Sequence, residues 1–381
     1  MVIFDAKLAE LQRHLTYLRT AFAGCRANAH PDAAERLEYL GDAVLALIQE
    51  AATLEHDLRL YKAANKPATD IWRQLLTRLR ELSAQVQHLR ILQLPAHLAT
   101  TPHDHYMSNV LKQMHREVGL TDIHPVASLH QGLWFAMVGN IPRYPLYFAP
   151  VSLISDPGEL GLMYHEIGHA LFRLWGNGFA QVLQSGIERA IRRKAHEVQS
   201  ISDPASRVDH ATALVAWQSK VNHELEETAC DAVGTLLGGP VFVMAARIGL
   251  LLMGDSPFSG GSLRYPALDC RMRLGSVGMR RLGLDDPMLD TLDSGWARVQ
   301  FLSQTNKSRW YDWLYDDQYL DDIVGAVEGF LTAKGLNLYG PSCGGLRQGL
   351  SEGAGLMLTG GAAYSDWSNS FLQKLMQTYA P

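Results

Sequence analysis

Met163-Tyr164-His165-Glu166-Ile167-Gly168-His169-Ala170-Leu171-Phe172 is the stretch whose reading decides the fold. It contains His-Glu-x-x-His. Apolar residues flank the motif at helical spacing (Leu160, Met163, Ile167, Leu171 and Leu174), which predicts one continuous helix. At ~1.5 Å rise per residue, His165 and His169 stand one turn apart on the same face. Two imidazoles so placed can share one tetrahedral zinc ion, with Glu166 beside them to act on a metal-bound water.

Upstream, Ser155-Asp156-Pro157-Gly158 reads as a turn, and the run from Leu146 to Ile154 before it reads as a strand. Pro150 lacks an amide proton, so it predicts that this strand lies at a sheet edge. Leu133 to Val138 reads as a buried strand, with Gly139-Asn140 and Pro142 supplying the turn between the two. A strand, a turn and then a metal helix is the zincin arrangement, in which the edge strand can pair with an extended peptide.

Two histidines leave a zinc site incomplete. A third His on the same helix is excluded, because position 172 is Phe and position 175 is Trp where that extension needs Gly and His. The best source is His223-Glu224-Leu225-Glu226-Glu227-Thr228-Ala229-Cys230-Asp231-Ala232-Val233-Gly234. Glu227 and Asp231 are four apart and share a helix face. Glu227 can ligate the metal while Asp231 accepts an N–H from a ligating imidazole. His223, one turn before Glu227, is the rival third ligand. Glu224 and Glu226 point elsewhere on the helix and read as solvated.

With those residues in place, the chain resembles a gluzincin metallopeptidase; the 57 residues between His169 and Glu227 make it more similar to the group of CAAX-processing and HtpX-type proteases than to the thermolysin type. A third fragment carries the likeness. Those enzymes have a downstream His-Pro-Pro-Leu-x-x-Arg, matched here by Tyr265-Pro266-Ala267-Leu268-Asp269-Cys270-Arg271 at Pro266, Leu268 and Arg271. Tyr265 stands where the family has His. The resemblance covers about residues 145 to 275 and implies a supporting role for Arg271. Those relatives are commonly membrane-embedded, and no span is expected here.

The expected chemistry is zinc-dependent hydrolysis of peptide bonds. Zinc is held by His165, His169 and Glu227, and Glu166 is the general base. The Tyr265 hydroxyl can donate to the oxyanion. The alternative is a non-catalytic zinc-stabilised scaffold, or a protein that binds a partner through its N-terminal helices.

Bulk properties set the frame. The 381 residues are 47% hydrophobic and 19% charged, as in ordinary globular proteins. A net charge of −5 gives no reason to expect nucleic acid or an anionic membrane as partner. The four cysteines are far apart and form no Cys-x-x-Cys pair, and the N-terminus lacks the pattern of a signal peptide. The apolar window Leu236 to Met253 is interrupted by Gly238, Gly239, Pro240 and Arg247, so it reads as a buried helix after a break. A cytoplasmic protein acting on a peptide or protein substrate is therefore expected.

The fold class expected is α+β, mostly helical. Residues 1–95 read as an antiparallel helical bundle, with heptad runs Leu8, Leu11, Leu15, Leu18 and Leu37, Leu40, Val44, Leu47 and a third from Trp72 to Leu89. Residues 96–285 form the zincin-like domain with a small sheet and an edge strand. Residues 286–381 form a helical region packed on it. His103-Asp104-His105 reads as a loop.

Overall fold

In the computed structural model, the described residues are 2–27, 29, 31–64, 69–98, 101–130, 135–138, 143–150, 153, 156–252, 257–258, 265–284, 287–302, 307–340, 343–359 and 361–379. They are mostly helical. In order come α1 (Val2–Ala27), α2 (Pro31–Ala63), α3 (Thr69–His88), a π-helical turn (Leu89–Gln93), α4 (Leu94–Leu98) and α5 (Pro102–Glu117). Strands β1 (Val126–His130), β2 (Ala136–Val138) and β3 (Leu146–Pro150) follow, then a 3₁₀ turn (Pro157–Leu162) and α6 (Met163–Ser200). After these come α7 (Pro204–His223), α8 (Leu225–Gly238), α9 (Pro240–Leu252), α10 (Leu268–Arg281), α11 (Pro287–Leu302), α12 (Tyr311–Leu314), α13 (Asp317–Ala333), α14 (Gly345–Thr359) and α15 (Gly361–Tyr379).

By their contacts the residues divide into two compact units, Met1–His105 with Val126–Ser128, and Tyr106–Pro125 with Leu129–Pro381. In the first, α1, α2 and α3 pack on one another. Leu8, Leu11, Leu15, Leu18, Leu37, Leu40, Val44, Leu47, Leu75, Leu79, Leu82, Val86 and Leu89 are all buried. These are the heptad positions, so the apolar stripe of each helix is the face it covers.

The second unit is built on the close packing of α6 against α8, with α13 lying against both and against α10. Asp156 starts the 3₁₀ turn by accepting the Gly158 N–H at 3.0 Å, with Pro157 at the first position. Asp203 caps α7 in the same way through the Ser206 N–H, again followed by Pro. Gly176, at φ +48°, interrupts the helical geometry of α6, a backbone conformation open to glycine. α14 packs on α9 and on the 3₁₀ turn, so residues beyond 286 share this unit.

Among the described residues the sheet has three strands in the order β1-β3-β2. β2 and β3 are antiparallel, pairing Ala136 with Phe148, Met137 with Tyr147 and Val138 with Leu146. This corrects the edge assignment. β3 is central and β2 is an edge. Pro150 is tolerated because it is the last residue of β3, where its missing N–H falls at the strand's end. β1 is a strand that the sequence reading lacks. Leu133, Trp134 and Ile154, expected in strands, lie outside the described residues. His103-Asp104-His105 sits in the first turn of α5, where the Asp104 carboxylate accepts from the Thr101 amide and hydroxyl.

The break expected after Leu236 falls at Gly239 (φ +60°), between α8 and α9. Among the described residues no helix is long and apolar enough to cross a membrane.

Candidate metal centre

The first two turns of α6 carry His165, Glu166 and His169, and the first turns of α8 carry Glu226, Glu227, Cys230 and Asp231. Gly168 brings the two helices together. A Cβ there would lie 2.8 Å from the Cys230 Cα and 3.1 Å from its Sγ, so any side chain would force the helices apart. The imidazoles of His165 and His169 stand edge-on, with ring centroids 5.0 Å apart. Glu227 faces both. Its Oε2 is 3.3 Å from His165 Nε2, and its Oε1 is 3.7 Å from His169 Nε2.

The other nitrogen of each ring is held by a different carboxylate. His165 Nδ1 lies 2.8 Å from Asp231 Oδ1, and His169 Nδ1 lies 3.0 Å from Glu226 Oε1. A carboxylate at Nδ1 fixes the proton there and leaves Nε2 as the lone-pair donor. Arg271 completes the His165 side with two hydrogen bonds to Asp231, from Nε at 2.6 Å and from Nη2 at 2.8 Å. Such a bidentate pair is the geometry a guanidinium favours.

These groups set a strong local field. Burial pushes the Asp231 carboxyl up, but Arg271 and His165 outweigh it and hold the group well below the usual carboxylate range. Burial disfavours the charge on His165, yet Asp231, Glu227 and Glu166 together push it up to about 10. The pocket therefore favours a positive charge at the His165 imidazole. A cation other than the proton gains from the same carboxylates.

The donors fit a small dication. At bond lengths of about 2.0–2.2 Å, a tetrahedral ion separates its N and O ligands by roughly 3.3–3.6 Å. The spacings of 3.3 Å from Glu227 Oε2 to His165 Nε2 and 3.7 Å from Oε1 to His169 Nε2 lie near that scale, each nitrogen facing a different oxygen. Glu227 Oε2 is also buried with no well-formed hydrogen bond, His165 Nε2 at 3.3 Å being its polar neighbour, a costly state for a carboxylate oxygen unless a cation covers it. Among the described residues, the side chains whose ligand atoms all lie within 4.8 Å of one another are His165, His169 and Cys230, whereas Glu227 meets the two histidines through different oxygens. The Cys230 thiol is fully buried, and burial together with the surrounding carboxylates pushes it well above its ordinary range.

Glu166 points toward the sheet. Its Oε2 accepts the Met137 N–H of β2 at 2.7 Å. Tyr265 is 45% exposed, and its ring lies under the Arg271 guanidinium with Cζ 5.7 Å from the centroid.

Three expectations change. His223 ends α7, is exposed, and turns its Nδ1 onto the Ser219 carbonyl of its own helix at 2.7 Å. The chain breaks at Glu224 between α7 and α8, so His223 and Glu227 do not share a helix face. Glu224, expected in solvent, is 1% exposed and accepts from the Tyr315 hydroxyl at 3.3 Å. Glu226, also expected in solvent, holds His169. The Glu226 contact is within reach of the sequence, since an acid adjacent to a candidate ligand can reach the second histidine when two helices cross closely. No pattern in the sequence indicates that crossing. Gly254 to Ser262 lies largely outside the described residues.

No protein-family model matches the chain, and no curated protein or solved structure matches it significantly.

Proposed function

We propose that this chain is a zinc-dependent peptidase of the gluzincin kind, with His165, His169 and Glu227 as ligands and Glu166 as general base. The observation that carries the reading is the position of Glu227, whose two oxygens each face the Nε2 atom of a different histidine while the Nδ1 atoms of both rings are held by other carboxylates. Zinc there would supply Lewis acidity and lower the pKa of a coordinated water to about 7. Glu166 takes a proton from the attacking water and passes it to the leaving amine. Tyr265 donates its hydroxyl to the developing oxyanion.

A peptide substrate is supported by the strand next to the base. Met137 turns its N–H toward Glu166 and away from β3, so the outer edge of β2 borders the catalytic carboxylate. An extended peptide laid along that edge brings its carbonyl toward Glu166. A cytoplasmic setting fits the four cysteines, all of them free.

Cys230 favours a second reading. With its sulfur as fourth ligand the site would be closed by protein, as structural zinc is, and the chain would be a zinc-stabilised scaffold. Zinc per chain, measured in the wild type and in Glu227→Ala, Cys230→Ser and Glu166→Gln, separates the two. The peptidase reading expects one zinc in wild type, Cys230→Ser and Glu166→Gln, and loss in Glu227→Ala. It also expects Glu166→Gln to lose about 10²–10⁴-fold of peptide turnover. Loss of zinc in Cys230→Ser supports the closed scaffold. Absence of zinc from the reconstituted wild type sinks both.

A further inference from the structure

We propose that Glu226 is a positioning residue for the metal centre, orienting His169 through Nδ1 with Arg173 as its anchor. The inference rests on the metal site proposed above and assigns a role to a side chain outside the ligand set. Its Oε1 lies 3.0 Å from His169 Nδ1 and 3.4 Å from Arg173 Nη2. Arg173 is one turn beyond His169 on α6, so the same helix that presents the imidazole also presents the guanidinium that holds the acid. Each histidine thus sits between two carboxylates of α8, one at each ring nitrogen.

The two halves differ in their setting. Asp231 is buried and Arg271 is 11% exposed on the His165 side, whereas the side chains of Glu226 and Arg173 are 36% and 51% exposed. A buried charge pair is insulated from solvent, and an exposed one is screened by salt. His169 is therefore the more weakly held ligand, and zinc affinity in this protein depends on Glu226 in a salt-sensitive way. The adjacent acids Glu226 and Glu227 divide the work. Glu227 faces the nitrogens left for the metal, and Glu226 takes the nitrogen that must keep its proton.

The test uses the full-length protein loaded with zinc, and separately with cobalt(II), whose visible absorption reports the ligand field. Affinity is measured by competition with a chromogenic chelator at 20-fold different salt concentrations. Glu226→Ala is expected to lose about 10–100-fold in zinc affinity and to alter the cobalt spectrum. Glu226→Gln keeps an oxygen to accept from Nδ1 and should recover most of the loss. The wild-type affinity should fall with salt, and that of Glu226→Ala should respond less.

A Glu226→Ala affinity and cobalt spectrum equal to wild type would overturn the role. So would a Glu226→Gln variant as weak as Glu226→Ala with the fold intact by circular dichroism. A wild type that binds neither ion would overturn the metal site itself, and the positioning role with it. That outcome is distinct from a wild type that binds and a variant that does not differ.

Discussion

Nδ1 of His165 lies 2.8 Å from Oδ1 of Asp231, although 66 positions of chain separate the two residues. Arg271 grips the same carboxylate from the other side, so a buried negative charge is shared between the His165 ring and a guanidinium. Removing the guanidinium strands that charge. Arg271→Leu should cost about 3–5 kcal/mol in urea unfolding, the penalty for breaking one partner out of a buried pair. Asp231→Asn should weaken zinc about 10–100-fold by chelator competition. The double variant should lose less stability than the two single losses combined, because both remove one interaction. Additive losses would show that the pair is not coupled.

Gly168 offers a separate handle on the same helix crossing. Gly168→Ala places a methyl 2.8 Å from the Cys230 Cα, and backbone cannot yield as a flexible side chain does. The expected loss is about 1–3 kcal/mol of stability, from overpacking. Zinc affinity should fall with it, since Glu227 moves away from the imidazoles. An alanine variant with unchanged melting temperature and metal affinity would rule out tight α6–α8 contact as the device that builds the site.

Glu224 predicts a pH dependence of stability. Burial pushes its carboxyl up from 4.5 to about 7, against Lys220 and Tyr315, which favour the charged form. The folded state therefore binds this proton more tightly than the unfolded chain. The contribution is fully present below about pH 4.5 and is lost progressively as pH rises to about 7. At ~1.4 kcal/mol per pKa unit, the swing is at most roughly 3 kcal/mol. Glu224→Gln mimics the protonated acid, so its unfolding free energy should exceed the wild-type value at pH 8 and match it at pH 4.5. Parallel profiles for the two proteins across that window would refute the assignment.

Tyr265 separates catalysis from packing. Its ring is half-exposed beneath Arg271, so Tyr265→Phe should leave stability within about 0.5 kcal/mol. If the hydroxyl donates to the oxyanion, peptide turnover should fall about 10²–10³-fold with zinc content unchanged. Full turnover in the phenylalanine variant would remove Tyr265 from the mechanism.

Much of this protein was legible in its sequence where regular periodicity decides direction. The heptad leucines of α1, α2 and α3 are buried because a 3.5-residue repeat keeps one face inward whatever lies opposite. His165 and His169 share a face for the same reason, as do Glu227 and Asp231. The edge strand was misplaced, because Pro150 excludes a strand interior but says nothing about which neighbour a strand pairs with.

Glu224, Glu226 and His223 show what only tertiary structure decided. Successive helix positions point about 100° apart, so Glu226 and Glu227 differ in direction by a known angle. Which imidazole nitrogen each of them meets depends on where α6 crosses α8, and the close approach of the two helices needs the space left at Gly168. The break at Glu224 removes His223 from the helix that holds Glu227 and buries Glu224 against Tyr315. Local sequence determines the angle between side chains on one helix. The partner each side chain finds comes from the packing of residues far apart in the chain.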